Sequence, residues 1–329
     1  MVPDNHIDDA VAHRALAEFD LSADAQVRMI NLSENSTYLV EDPHGGVEGV
    51  LRVHREDYHS VASIESELLW LDALRADAGI DTPVAVPTPD GRRVVSLDCG
   101  GRERHVVLFE MIGGIEPDEG AVGEADFRTL GALTARLHAH ARSWRRPDAF
   151  ERFSWDWQHT LGPDPRWGRW QDGIGIGDPE VVLLSQAADL IRRRLEAFGS
   201  GPDRFGLVHA DLRLANLLVD GEQVNVIDFD DCGFSWFLYD FGTAVSFIED
   251  DPRLGEWQAA WVAGYRTVAA LSAEEEEMLA TFVMLRRLML VAWMGSHSHS
   301  RECQEKGPTY AVGTCVLAER YLAGNGLLL

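Results

Sequence analysis

The stretch from Leu207 to Gly242 restricts the possible folds of this chain more than any other. It opens with Leu207-Val208-His209-Ala210-Asp211-Leu212-Arg213-Leu214-Ala215-Asn216 and an apolar run to Val219. A turn at Asp220-Gly221 follows, then Val224-Asn225-Val226-Ile227-Asp228-Phe229-Asp230-Asp231, and later Tyr239-Asp240-Phe241-Gly242. Two apolar runs joined by Asp-Gly are a strong local signal for a hairpin. Such a hairpin turns the chain back on itself. It returns Asp228 to the edge that carries Asp211 and Asn216, so three oxygen-bearing side chains gather at one end of a small sheet.

Phosphoryl transfer is the chemistry that uses such a set. Hard cations such as Mg²⁺ take carboxylate and carbonyl oxygens. An Asn and an Asp hold the metal on a triphosphate, while a second Asp orients the acceptor hydroxyl and takes its proton. Asp211 and Asn216 stand five residues apart, the spacing that kinase chemistry requires. The pattern His-x-Asp-x-x-x-x-Asn, then Ile-Asp-Phe, then Tyr-Asp-φ-Gly resembles the aminoglycoside phosphotransferase superfamily, near its homoserine kinase type II and bacterial stress-response kinase branch. The matching residues are His209, Asp211, Asn216, Asp228 and Asp240.

The resemblance runs from about Val27 to the C-terminal helices and implies an α+β, bilobal, protein-kinase-like fold. An antiparallel five-stranded N-terminal lobe (residues 1–112) would bind nucleotide. A mostly helical lobe (residues 113–329) would carry the catalytic loop and the acceptor site. ATP and Mg²⁺ are the implied cofactors, with Asn216 and Asp228 as metal ligands. Asp211 would be catalytic and His209 would brace its loop. Arg52 would meet the phosphates where protein kinases use Lys. Glu67 would fix Arg52, with Glu65 as the competing choice. The turn with Ser33 and Asn35 would cover the phosphates, and the backbone of Glu110 and Ile112 would bond the adenine edge. Asp240 would accept backbone N–H bonds from the catalytic loop.

The rest of the chain is consistent with this frame. Its 329 residues are 46% hydrophobic, enough for a large core in two lobes. The net charge of −25 excludes nonspecific nucleic-acid binding, which needs Lys and Arg for the phosphates. It is compatible with a cationic acceptor, but a plain solvated acidic surface is the simpler reading. No run of eighteen apolar residues suggests a membrane span. The polar, acidic start lacks a signal-peptide pattern, and Cys99, Cys232, Cys303 and Cys315 lack metal spacing, so a reduced cytoplasm is expected.

Val11 to Phe19 reads as a short helix and Val27 to Val53 as a three-strand meander. Ile64, Leu68, Leu71 and Leu74 mark a helix over residues 61–78. Strands at Val94 to Leu97 and His105 to Glu110 complete the sheet, and Gly113-Gly114 marks a hinge. Helices are expected over residues 124–143, 180–198, 254–269, 273–294 and 310–323. His138 reads as packing beneath the catalytic loop, and the region with Trp155, Trp157, Trp167 and Trp170 reads either as an acceptor cover or as core. Arg286 and Arg287 interrupt an apolar helix, which suggests that one of them pairs with a buried acid. His297 and His299 suggest a metal pair, but no further ligand is evident in the sequence, and a flexible polar loop is the preferred reading. Asp230 and Asp231 stay open between an acceptor contact, a second metal ion and simple exposure.

The function expected is phosphorylation of a hydroxyl on a small polar molecule: an amino acid, amino alcohol, sugar or aminoglycoside-like compound. A Ser/Thr protein kinase of the stress-response type is the alternative, but only eleven residues separate Asp228 from Asp240, short for a regulatory segment. A non-catalytic nucleotide-binding module would have no use for Asp211. The acceptor's identity, ATP against GTP, and the oligomeric state are not encoded in any readable pattern.

Overall fold

The computed structural model describes residues 5–32, 35–44, 47–118, 120–221, 223–297 and 301–324. In chain order, α1 (Asn5–Ala15) precedes β1 (Gln26–Leu32), β2 (Ser36–Asp42) and β3 (Val47–Val53). Next come α2 (Val61–Ala73), β4 (Val95–Asp98), β5 (Glu103–Glu110), α3 (Glu124–Ser143), α4 (Trp157–Thr160) and α5 (Asp178–Phe198). The central stretch supplies β6 (Phe205–Val208), β7 (Leu217–Asp220), β8 (Gln223–Val226) and β9 (Gly233–Trp236). The helices α6 (Tyr239–Ala244), α7 (Leu254–Tyr265), α8 (Ala273–Ser296) and α9 (Arg301–Leu322) follow.

The chain divides into two compact units. The first comprises Met1–Gly114, Arg146–Arg152 and Asp220–Asp230, so its long segment ends directly after Gly113-Gly114 and two short later segments join it. The second comprises Ile115–Arg145, Phe153–Val219 and Asp231–Leu329.

The first unit is built on an antiparallel sheet of order β1-β2-β3-β5-β4. Strand alternation sorts its side chains. Tyr38, Val40, Leu51, Val53, Val106 and Leu108 pack with Val11, Ala12 and Ala15 of α1 in one core. By the same period, Arg52 points to the opposite face, toward α2. The α2 helix starts at Ser60, whose side chain accepts the Ser63 N–H at 3.1 Å. It continues as a π-helical turn over Leu74–Ala78 and stops at Gly79, which takes a left-handed φ of 58°.

In the second unit, α3 packs on α7 through two glycines. A β-carbon at Gly131 would lie 2.0 Å from the Trp261 carbonyl oxygen, and one at Gly264 would lie 1.9 Å from that of Arg128. The helices approach as closely as backbones allow. The α8 helix opens with a capping box between Ser272 and Glu275 and an acidic first turn that suits the helix dipole. It is long and apolar enough to cross a membrane, yet its side chains are packed inside the second unit as a core helix.

The Asp220-Gly221 turn forms as expected, with Gly221 at φ 62° between β7 and β8. The hairpin is shorter than the sequence suggested. Leu207 and Val208 lie in β6, which pairs with β9 and not with β8. Likewise α9 begins at Arg301 rather than Tyr310, running through Gly307-Pro308, a pair that reads locally as a break. Packing against α5 and α8 overrides that local preference.

Candidate active site

The site residues of the first unit surround Arg52. Its guanidinium is buried and lies 2.8 Å from Glu67 Oε1, 3.5 Å from Asp228 Oδ1 and 3.6 Å from Asp230 Oδ1. The ring of Phe109 covers it at 5.1 Å. Burial would depress its pKa, but Glu67, Asp230 and Asp228 outweigh that and raise it, so the charge is permanent. Glu67 is the partner and Glu65 is not. Glu65 faces Arg93 at 2.8 Å on the outer side of α2.

Asp228 follows β8 at a φ of 60°, a left-handed conformation that is strained for a residue with a β-carbon. Its side chain is 47% exposed, so the carboxylate remains open to a ligand while Arg52 is nearly enclosed. Asp230 is not exposed. It is buried, with His54 Nδ1 at 3.2 Å and His59 Nε2 at 3.6 Å, and its backbone carbonyl accepts from Arg152. Burial would raise its carboxyl pKa, but His59 and His54 hold it well below the usual value. Asp230 therefore belongs to the shell that fixes Arg52.

The second unit carries the catalytic loop. After β6 the chain passes through Ala210, at a φ of 66°, and this left-handed residue swings Asp211 out of the strand. The turn is held by Asp240 at the start of α6. Its carboxylate accepts the His209 N–H at 3.2 Å, the Ala210 N–H at 2.8 Å and the Nε2–H of His138 at 3.1 Å. His138 Nδ1 in turn accepts the Tyr265 hydroxyl at 3.1 Å. His209 is fully buried, and its Nδ1 accepts the Asp211 N–H at 3.2 Å. It braces the loop from inside and faces no solvent.

A 3₁₀ turn over Leu214–Asn216 brings Asn216 back beneath Asp211. Asn216 Nδ2 donates to the Asp211 carbonyl at 2.8 Å and to its Oδ2 at 2.7 Å. With the amide nitrogen committed, its Oδ1 is the atom left for a metal. Arg286 of α8 donates to Asp211 Oδ1, and Arg213 lies 3.5 Å from Oδ2. Burial alone would raise the Asp211 pKa, but Arg286, Arg213, His209 and the Asn216 bond outweigh it and lower it. Asp211 is a stable carboxylate at neutral pH, suited to orienting a hydroxyl.

The oxygens of Asn216 and Asp228 are the hard donors that Mg²⁺ prefers, so the residues present fit that ion. Among the described residues no group of three or more His, Cys, Asp or Glu could hold a metal by itself. Ser33 and His299 lie outside the described residues. Asn35 is committed elsewhere: its Oδ1 accepts the Arg55 N–H at 2.9 Å. The Glu110 N–H donates to the Val84 carbonyl at 2.9 Å, and Ile112 follows β5 outside any strand. Asp231 is buried and its carbonyl accepts Trp155 Nε1 at 2.8 Å. Trp155, Trp167 and Trp170 are buried, with Trp155 and Trp167 edge to face at 5.1 Å.

Sequence reasoning passed over His54, His59 and Arg152, which carry no motif. Arg286 had one visible signal, a charge inside an apolar helix. Both arginines there are paired, Arg287 with Glu249 at 2.7 Å.

Residues 28–277 match the family model described as the phosphotransferase enzyme family. The chain belongs to that family. The solved structure of a microcompartment-associated aminopropanol kinase is 60% identical and superposes with a TM-score of 0.89, covering 97% of this chain and 98% of the other. Amicoumacin kinase of Bacillus subtilis (strain 168) is 28% identical over 295 residues, 86% of this chain and 83% of that protein. An amicoumacin kinase solved with AMP-PNP and Ca²⁺ shares the fold at a TM-score of 0.76 and 20% identity, covering 97% of this chain and 94% of the other. This family member is thus an enzyme, a phosphotransferase with an alcohol group as acceptor, on the α+β kinase-like fold.

Proposed function

We propose that this phosphotransferase uses ATP and Mg²⁺ to phosphorylate the hydroxyl of a small amino alcohol. The observation that carries the proposal is the 60% identity, over nearly the whole of both chains, to an aminopropanol kinase. The net charge of −25 is in keeping with a cationic acceptor drawn in by the field.

In this reading Asp211 orients the acceptor hydroxyl and receives its proton as the phosphoryl group arrives. His209 and Asp240 hold the loop that carries it. Arg52, fixed by Glu67 and Asp230, neutralises the nucleotide phosphates, and the backbone of Glu110 and Ile112 bonds the adenine edge. Asn216 and Asp228 hold Mg²⁺, which supplies charge neutralisation on the phosphates. Catalysis then comes mainly from positioning and preorganised charge. The short segment between Asp228 and Asp240, filled by β9 and the start of α6, favours a small acceptor over a protein.

The test is ADP release from ATP and Mg²⁺ with 1-amino-2-propanol, ethanolamine, homoserine, a sugar and an aminoglycoside. The amino alcohols should give the highest kcat/KM, and EDTA should abolish turnover. Asp211→Asn should lower kcat by about 10²–10⁴-fold while ADP binding persists. Preference for the aminoglycoside or the sugar would overturn the acceptor class. Full activity in Asp211→Asn would remove Asp211 from its role.

A further inference from the structure

Arg286 sits in the middle of α8, where nearly every neighbour in sequence is apolar and buried. An arginine at such a position is stable only when its donors are met. Its Nε donates to Ser246 Oγ at 3.1 Å. One terminal nitrogen donates to the Tyr239 hydroxyl at 3.2 Å and to the Ala210 carbonyl at 3.4 Å. The other donates to Asp211 Oδ1. A guanidinium has five N–H groups, and these contacts commit four of them to the protein. The Trp167 ring lies 4.8 Å from its central carbon and closes a further side.

Two of these partners belong to the catalytic loop. Ala210 is the strained residue of the catalytic loop, and Asp211 is the next. Arg286 therefore grips both the backbone turn and the carboxylate that the turn presents. Asn216 and Arg213 hold the other carboxylate oxygen. The side chain of Asp211 is 15% exposed and that of Arg286 only 3%, so a ligand can reach the carboxylate but hardly the guanidinium. Arg287, one residue on, is turned to Glu249, Thr314 and Tyr310 and plays no part in the loop.

We infer that Arg286 is a positioning residue for phosphoryl transfer, locking the Asp211 carboxylate and the Ala210 peptide in the orientation that receives the acceptor hydroxyl. The inference rests on the proposed role of Asp211 and assigns Arg286 no contact with substrate. A buried fork anchored at four atoms fixes a carboxylate in a way that a single ammonium cannot.

The experiment is a double-mutant cycle on the full chain, read by kcat, KM for each substrate, ADP affinity and thermal midpoint. Arg286→Gln should lower kcat by about 10²-fold, the cost of a misplaced catalytic group, with ADP affinity within about twofold of wild type. Arg286→Lys, which keeps the charge and loses the fork, should recover part of that loss. In an Asp211→Asn background, Arg286→Gln should cost less than about threefold more, because it acts through Asp211. Wild-type kcat in Arg286→Gln, or the same fold-loss in both backgrounds, would overturn the inference. Should Arg286→Gln fail to bind ADP or to fold, Arg286→Lys takes its place in the cycle under the same criteria. If Asp211→Asn itself is fully active, the reading of the site fails instead, and the two failures are told apart.

Discussion

Asp240→Asn tests whether one buried carboxylate holds the catalytic loop in its strained turn. The carboxylate accepts three N–H donors, with Oδ2 serving His209 and His138 and Oδ1 serving Ala210. An amide can keep Oδ2 as an acceptor only by turning its NH₂ toward the Ala210 N–H. One charge-assisted bond is then lost and a buried donor left unmet, at a cost of about 1–3 kcal/mol. The two remaining bonds become neutral, and since charged bonds are roughly twice as strong, each loses about 0.5–1 kcal/mol. The sum is about 2–5 kcal/mol, a range that includes the cost of breaking a buried pair. For a unit of roughly 200 residues, each kcal/mol moves the thermal midpoint by about 2–4 °C, which gives a drop of about 4–20 °C. Release of the Ala210 turn should also misplace Asp211 and lower kcat by about 10²-fold. Calorimetry and steady-state kinetics on the same preparation measure both. A midpoint within about 2 °C of wild type, with kcat within about threefold, would refute the claim that Asp240 holds this loop.

Two further outcomes follow from the packing. Gly264→Ala should force α7 away from α3, because its β-carbon would lie 1.9 Å from the Arg128 carbonyl oxygen. A loss of about 3 kcal/mol is expected from such overpacking, measurable by urea unfolding, and a neutral substitution would mean that the helices separate freely. Acid should weaken the fold through His138, whose pKa burial lowers despite the opposing pull of Asp240. The folded state keeps this imidazole neutral, so its contribution is complete above the unfolded pKa of about 6.5. As pH falls below that value the unfolded chain takes up a proton that the folded chain refuses, and stability declines by up to about 1.4 kcal/mol per pH unit. His138→Gln should flatten the slope of unfolding free energy between pH 7 and 5, and an unchanged slope would contradict the assignment.

Most of the fold was legible in the sequence. The helix over Glu124–Ser143 appears with the bounds its apolar spacing gave, and the five sheet strands appear within one to three residues of theirs. The Asp220-Gly221 turn was legible for the same reason, since its backbone demands are met by the two residues themselves. Errors fell where distant contacts outweigh local preference. The β6 strand chose β9 as partner, and α9 ran through a Gly-Pro pair.

For the site, the sequence by itself determined which atoms are available. His209, Asp211, Asn216, Asp228 and Asp240 stand at fixed offsets, and their chemistry follows from residue type and spacing along a short stretch. Tertiary structure alone decided how those atoms are held. It enclosed Asp230 between two histidines and brought Arg286 against Asp211 from 75 positions away. Spacing within a strand or turn is set by backbone geometry, which every residue shares. Which buried charge meets which is set by the packing of separate elements, and that leaves no periodic trace in the chain.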